Sequence, residues 1–261
     1  MIKRIFVSET DRNNLSKFKT VELPKVDKSS YRDIVVCKPW GYEYLMFEND
    51  YVAIWILHLK KGHETSMHCH PRKKSSLVVI SGKVLTSTLT EWFEFGHLQG
   101  IIYDAGVFHS TKALSEETFV MEIETPPMKK DLVRLKDSYG RETQGYEGRD
   151  KHSRDVHKFN YIFFDKKDVK SQTDKKINNT VVSINKCRTN FLDHEFSQRA
   201  KLKEKSIYCI IEEKVIDLEH RSYFWAGAIF DADGMKNRKN IRLFNNCLLL
   251  SVRLAKDEKA S

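Results

Sequence analysis

Cysteine is scarce in this 261-residue sequence: Cys37, Cys69, Cys187, Cys209 and Cys247 make an odd, scattered set of five with no C-x-x-C pair. That argues against a disulfide framework and is the usage of reduced thiols in a cytosolic protein. Long apolar runs are missing too. No stretch reaches the roughly 18 apolar residues a membrane span requires, and the opening Met-Ile-Lys-Arg-Ile-Phe-Val is too short in apolar run for a signal peptide. A soluble, cytoplasmic protein without a membrane partner is expected. A nucleic-acid-binding motif is likewise missing, so no nucleic acid is expected as a partner.

What is present is the composition of a globular chain, with 40% hydrophobic and 11% aromatic residues. The formal charge of +9 and the pI near 9.1 favour anionic partners. Without nucleic acid, an anionic small molecule held in a pocket is the partner expected, a sugar phosphate or a nucleotide sugar. The length allows one large domain or two of ordinary size.

The chemistry concentrates between Gly62 and His109. His68-Cys69-His70 sits between the apolar runs Val52–Leu57 and Leu77–Ile80, which read as strands. On a strand, histidines at i and i+2 point to one face and Cys69 points to the other, into the core. A third histidine closes Asp104-Ala-Gly-Val-Phe-His109, where Gly106 suits a tight turn. Three imidazoles on one face of a small barrel form a metal-site geometry.

These residues resemble the cupin family. Gly62, His68, His70 and Gly82 fall on the positions of its first motif, and Gly106 and His109 on those of its second. Asp104 stands for the second motif's proline, Ala113 for its closing asparagine, and Ser75 for the first motif's glutamate. The resemblance implies an antiparallel β-barrel of jelly-roll type. It also implies a divalent metal (zinc, manganese or iron) held by His68, His70 and His109 without the usual carboxylate. Lys38-Pro-Trp-Gly-Tyr-Glu43 resembles the lead-in of sugar-phosphate-handling cupins, in particular mannose-6-phosphate isomerase domains. Equally, it reads as the start of a hairpin with an aromatic anchor.

Short strands divided by turn residues predict an all-β chain: Tyr44–Phe47, Val52–Leu59, Leu77–Ile80, Val84–Leu89, Gly100–Tyr103 and Phe119–Ile123 in the first half. Val21–Pro24 reads as extended, Glu91–Gly96 as a hairpin, and Lys129–Lys136 as at most a short helix. Glu122 and Glu124 share a face of a late strand, where either could supply a carboxylate or simply be solvated. Tyr139, Arg141 and Tyr146 lie in a basic connector whose arginine fork and aromatic rings suit a sugar phosphate. The domain boundary is placed there, giving a cupin-like domain over residues 1–150 and a second β domain over 151–261. Strands are expected at Tyr161–Phe164, Val181–Ile184, Ile207–Ile211, Lys214–Leu218, Ala228–Phe230 and Leu248–Leu254, with Glu212-Glu213 as a hairpin turn. This half has no His-x-His, and His194 and His220 stand alone. It is read as a degenerate second barrel, making a bicupin, with a role in covering the first barrel or building a homodimer.

Three function classes follow. The first is a metal-dependent sugar-phosphate isomerase or epimerase of surface-polysaccharide synthesis, with His58, His63, Glu64 and Tyr103 as candidates for the general base. Lys73 and Lys74 could meet a phosphate by charge, or form an exposed turn. The second class is a three-histidine iron dioxygenase, which suits Ser75. The third is a non-catalytic sugar-binding module.

Overall fold

Ala53–Leu59 shows how this sequence becomes sheet. Ala53, Trp55, Leu57 and Leu59 alternate onto one face and join the main core, while Ile54 and Ile56 are fully buried on the other. A strand covered on both faces reads as a continuous apolar run. Each large side chain buried in this way contributes roughly 1.5–3 kcal/mol.

The computed structural model describes residues 1–18, 31–142, 144–187, 205–218, 221–231, 241–243 and 247–255. Val21–Pro24, His194 and His220 lie outside the described residues. The chain divides into two compact units, Lys3–Phe163 and Phe164–Ser261, the second joined by Met1–Ile2.

The strands of the first unit begin with β1 (Ile2–Ile5), β2 (Val35–Lys38), β3 (Gly41–Glu48), β4 (Ala53–Leu59), β5 (Met67–Cys69) and β6 (Lys74–Ser81). They continue with β7 (Lys83–Thr88), β8 (Trp92–Gly96), β9 (Gly100–Tyr103), β10 (His109–Ala113), β11 (Thr118–Thr125), β12 (Val133–Lys136) and β13 (His152–Ser153). They form an eight-stranded sheet, β1-β9-β6-β11-β4-β3-β2-β13, and a five-stranded sheet, β12-β5-β10-β7-β8. Val84, Phe95 and Ala113 of the smaller sheet pack in one core with Trp55, Leu77, Ile101 and Tyr103 of the larger. The two sheets therefore face each other as a sandwich, each hydrogen-bonded separately. The outer side of the smaller sheet buries Cys69, Phe108 and Val133, with Leu15 of helix α1 (Glu9–Leu15) packed against them. Cys69 thus points away from its neighbouring histidines, as strand alternation requires, and burial pushes its thiol up to about 12.

Several expectations are corrected. Lys129–Lys136 is no helix. Its last four residues form β12, because Val133 and Leu135 alternate into the outer core and β12 pairs with β5. Tyr161–Phe164 is not a strand; Tyr161 packs its ring on Tyr44 at 4.8 Å and its hydroxyl accepts from the Asp33 N–H. By contacts the first compact unit reaches Phe163, where β13 pairs with β2 and Phe159 packs on Tyr42; this division does not by itself test a domain boundary at residue 150.

In the second unit, β14 (Asp174–Ile177), β15 (Thr180–Cys187), β16 (Ser206–Glu212) and β17 (Lys214–Asp217) are followed by β18 (Ser222–Trp225), β19 (Ile229–Asp231), β20 (Ile241–Leu243) and β21 (Cys247–Leu254). They make a five-stranded sheet, β14-β15-β21-β16-β19, and a three-stranded one, β18-β17-β20. Glu213, in the left-handed region at φ 68°, turns the chain from one sheet to the other and does not close a hairpin. Both units are all-β, and the strand pairings within each are antiparallel.

Candidate metal centre

β5 and β10 bring the histidines together. They pair antiparallel with His68 directly opposite His109, and His70 follows β5 by one residue. Ring centroids stand 4.6 Å apart for His68–His109, 4.9 Å for His68–His70 and 5.5 Å for His70–His109. One ligand-type atom from each ring lies within 4.8 Å of the others, the only such group among the described residues.

Each ring is held by its other nitrogen. His68 Nδ1 donates to the Ser66 carbonyl at 2.7 Å, His70 Nδ1 to the Asp131 carbonyl at 2.6 Å, and His109 Nδ1 to the Val107 carbonyl at 3.0 Å. A neutral ring donating from Nδ1 carries its lone pair on Nε2, and this backbone anchoring fixes both tautomer and orientation. His70 Nε2 is buried without a hydrogen-bond partner. Burial, and then the neighbouring imidazoles, hold His68 well below the usual range and His109 at about 4, so both rings are neutral at physiological pH. Three imidazoles pre-oriented through their Nδ1 hydrogen bonds, with their Nε2 atoms gathered together, are a donor set that fits a divalent metal.

The loops beneath the rings are fastened together. Gly106, at φ 86°, a conformation glycine adopts freely, donates its N–H to the His70 carbonyl at 2.8 Å. Asp131 accepts from the backbone N–H of Arg72 at 2.8 Å and of Lys73 at 2.9 Å. On the outer side, Asp11 of α1 accepts from the Phe108 N–H at 3.0 Å. Tyr103 stacks on His109 at 4.1 Å, and burial pushes its phenol upward.

Beside the rings lies a cavity of about 60 Å³ whose lining includes His68, His70, Glu122, Glu124, Lys73 and Lys129. Its wall is a network of ion pairs. Lys73 meets Glu124 at 2.7 Å, Lys129 meets Glu43 at 3.1 Å and Glu124 at 3.5 Å, and Lys38 meets Glu43 at 3.2 Å. Lys38 also pairs with Glu147, which takes Arg134 at 3.2 Å and Arg141 at 2.6 Å. Burial alone would raise the Glu43 carboxyl, but Lys129, Lys38 and the Tyr146 hydroxyl hold it at about 2. Five cations (Lys38, Lys73, Lys129, Arg134, Arg141) and four carboxylates (Glu43, Glu122, Glu124, Glu147) line the cavity, a net of +1 before any metal is counted.

The other residues named from sequence are distributed unevenly. His58 stacks on Tyr42 at 4.7 Å, on the face of β4 opposite Trp55 and Leu57, and is outside the cavity lining. His63 stacks on Tyr139, and Glu64 accepts from Ser138 at 2.9 Å; neither lines the cavity. Lys74 is exposed near Asp104. Arg141 and Tyr146 do reach the cavity. Sequence reasoning missed Lys129, Arg134 and Glu147, of which only Arg134 lies on a strand, between apolar residues, while Lys129 and Glu147 sit in loops; Lys38 and Glu43, noted there only as the ends of the lead-in segment, line the cavity as well.

Fold and site together define an all-β antiparallel sandwich carrying a three-histidine group that can hold a metal. No family model matches the sequence, and no curated protein matches it. Among solved structures, a mutant oxalate decarboxylase from Bacillus subtilis is 11% identical, with a TM-score of 0.38 over 85% of this chain and 74% of that one. The capsular polysaccharide assembling protein CapF from Staphylococcus aureus is 17% identical, with a TM-score of 0.35 over 40% of this chain and 34% of that one. A conserved protein with a double-stranded β-helix domain from Klebsiella pneumoniae is 15% identical, with a TM-score of 0.34 over 42% and 90%. Likeness at this level carries no function across; the site must be argued from its own geometry. No helix among the described residues is long and apolar enough to cross a membrane.

Proposed function

We propose that this chain is a metal-dependent enzyme that isomerises or epimerises a sugar phosphate or nucleotide sugar. The observation that carries the reading is the set of three imidazoles anchored through Nδ1 beside a charged cavity. A divalent metal held by His68, His70 and His109 supplies Lewis acidity toward a sugar carbonyl or hydroxyl. The cavity's excess of cations favours an anionic ligand.

Proton transfer needs a base, and the best-placed group is Glu124. Lys73 holds its Oε1, while Oε2 is buried with no hydrogen-bond partner and so is free to accept a proton. Tyr103 serves as a wall against His109, a position its raised phenol suits better than base chemistry. The three-histidine dioxygenase reading drew its support from the lack of a carboxylate beside the rings. Glu122 Oε1 lies 3.5 Å from His70 Nε2, and that support weakens.

The test is solvent-deuterium exchange into a panel of sugar phosphates, followed by NMR with metal-loaded protein. Exchange at the carbon next to the carbonyl is expected, and Glu124→Gln should slow it by about 10²–10⁴-fold while metal content stays constant. Binding of a sugar ligand without exchange would point to a non-catalytic module. Oxygen uptake with iron-loaded protein would point to the dioxygenase.

A further inference from the structure

We propose that Glu122 is the fourth protein ligand of the three-histidine group, held in place by the hydroxyl of Ser75. This rests on the metal-centre reading above and adds a ligand to it. Glu122 lies on β11, opposite Leu77 of β6, and Ser75 lies opposite Glu124, so Ser75 and Glu122 are diagonal neighbours on one face. Ser75 is buried and donates its hydroxyl hydrogen to Glu122 Oε1 at 3.2 Å. That same oxygen faces His70 Nε2 at 3.5 Å.

The contact has an unusual chemistry. His70 Nδ1 is already the donor to the Asp131 carbonyl, so in the neutral ring Nε2 presents a lone pair. A carboxylate oxygen also presents lone pairs, and Nε2 makes no hydrogen bond. Two buried acceptors therefore face each other, which is unfavourable unless a cation lies between them. The spacing of 3.5 Å is just beyond that of two atoms sharing one ion, so a small side-chain adjustment would bring them onto it. Ligands about 2.1 Å from a metal, at angles between octahedral and tetrahedral, stand roughly 3.0–3.4 Å apart. An imidazolium–carboxylate pair is the competing explanation, but it calls for an Nε2–H hydrogen bond, and 3.5 Å exceeds the usual donor–acceptor range. Ser75 then fixes the carboxylate's rotamer, as outer hydrogen bonds do for metal ligands.

The experiment measures affinity and spectrum, not turnover. Full-length protein is stripped, titrated with Zn²⁺ against a chromophoric chelator, and loaded separately with Co²⁺ for visible absorption. His68→Ala should abolish binding. Glu122→Gln should weaken Zn²⁺ binding on the order of 100-fold and shift the Co²⁺ bands, and Ser75→Ala should weaken binding about tenfold. The exchange variant, Ser75→Glu with Glu122→Ser, should bring binding back to within about tenfold of the parent, because the carboxylate then enters from the adjacent strand. That rescue decides the matter even where Glu122→Gln folds poorly, a point circular dichroism checks. If Glu122→Gln binds Zn²⁺ as the parent does while His68→Ala does not, the histidines act alone and the proposal is overturned. If the parent binds no Zn²⁺ or Co²⁺, the metal-centre reading itself fails and the proposal falls with it.

Discussion

Single side chains in this protein act mainly by fixing the charge and direction of others. Glu43 is the clearest case, with its carboxyl at about 2 where 4.5 is usual. As pH falls below about 4.5, the unfolded chain takes up this proton first. The stabilisation from Lys129 and Lys38 is therefore complete above that pH and is lost as the pH drops toward 2. The full span corresponds to roughly 3 kcal/mol, so Glu43→Gln should flatten the acid limb of stability against pH, measured by urea midpoints. An unchanged limb would mean that the Glu43 pairs contribute nothing. The histidines were legible in the sequence because their spacing states a geometry: two at i and i+2, and a third after a glycine turn. Glu122 and Glu43 were not legible in this way. Alternating glutamates on a strand fit a solvated edge equally well, and only the strand pairing across the sheet turns them inward.

At the scale of elements, local sequence pattern predicted the strands well where both faces or one whole face is apolar, as for β4, β6 and β11. It failed where a strand has one charged inward residue and little length. β12 read as a helix because Val133 and Leu135 flank Arg134, whose side chain goes to the cavity and not to solvent. The Lys38–Glu43 hairpin shows the same mixture, with Trp40 buried as an anchor and both charges lining the cavity. Its turn depends on Gly41, where an added Cβ would lie 2.0 Å from the His58 carbonyl oxygen, a backbone atom that cannot yield. Gly41→Ala should therefore lower stability by about 3 kcal/mol or more, seen as a large fall in melting temperature. Helix α1 has a second task. Ser8 and Asp11 form a capping box at its start, and Asp11 reaches the Phe108 N–H next to His109. Asp11→Ala should cost roughly 1–3 kcal/mol and also weaken metal binding without touching a ligand. Loss of stability with metal affinity intact would confine Asp11 to capping.

On the scale of the whole molecule, the all-β class was legible throughout. The stretch 151–163 carries the polar, turn-rich composition of a linker. It nevertheless stays with the first unit through a two-residue strand and ring packing of Phe159 and Tyr161. All the side chains at the candidate centre belong to residues 3–163, so a fragment of those residues is expected to fold and to bind metal as the full chain does. Aggregation of the fragment would assign the second unit a covering role. The central claim is that this β sandwich carries a divalent metal on His68, His70 and His109, and elemental analysis of the purified full-length protein tests it most directly. The account predicts close to one zinc, manganese or iron per chain, retained on dialysis and lost in His68→Ala; metal-free protein that takes up no ion on titration would contradict it.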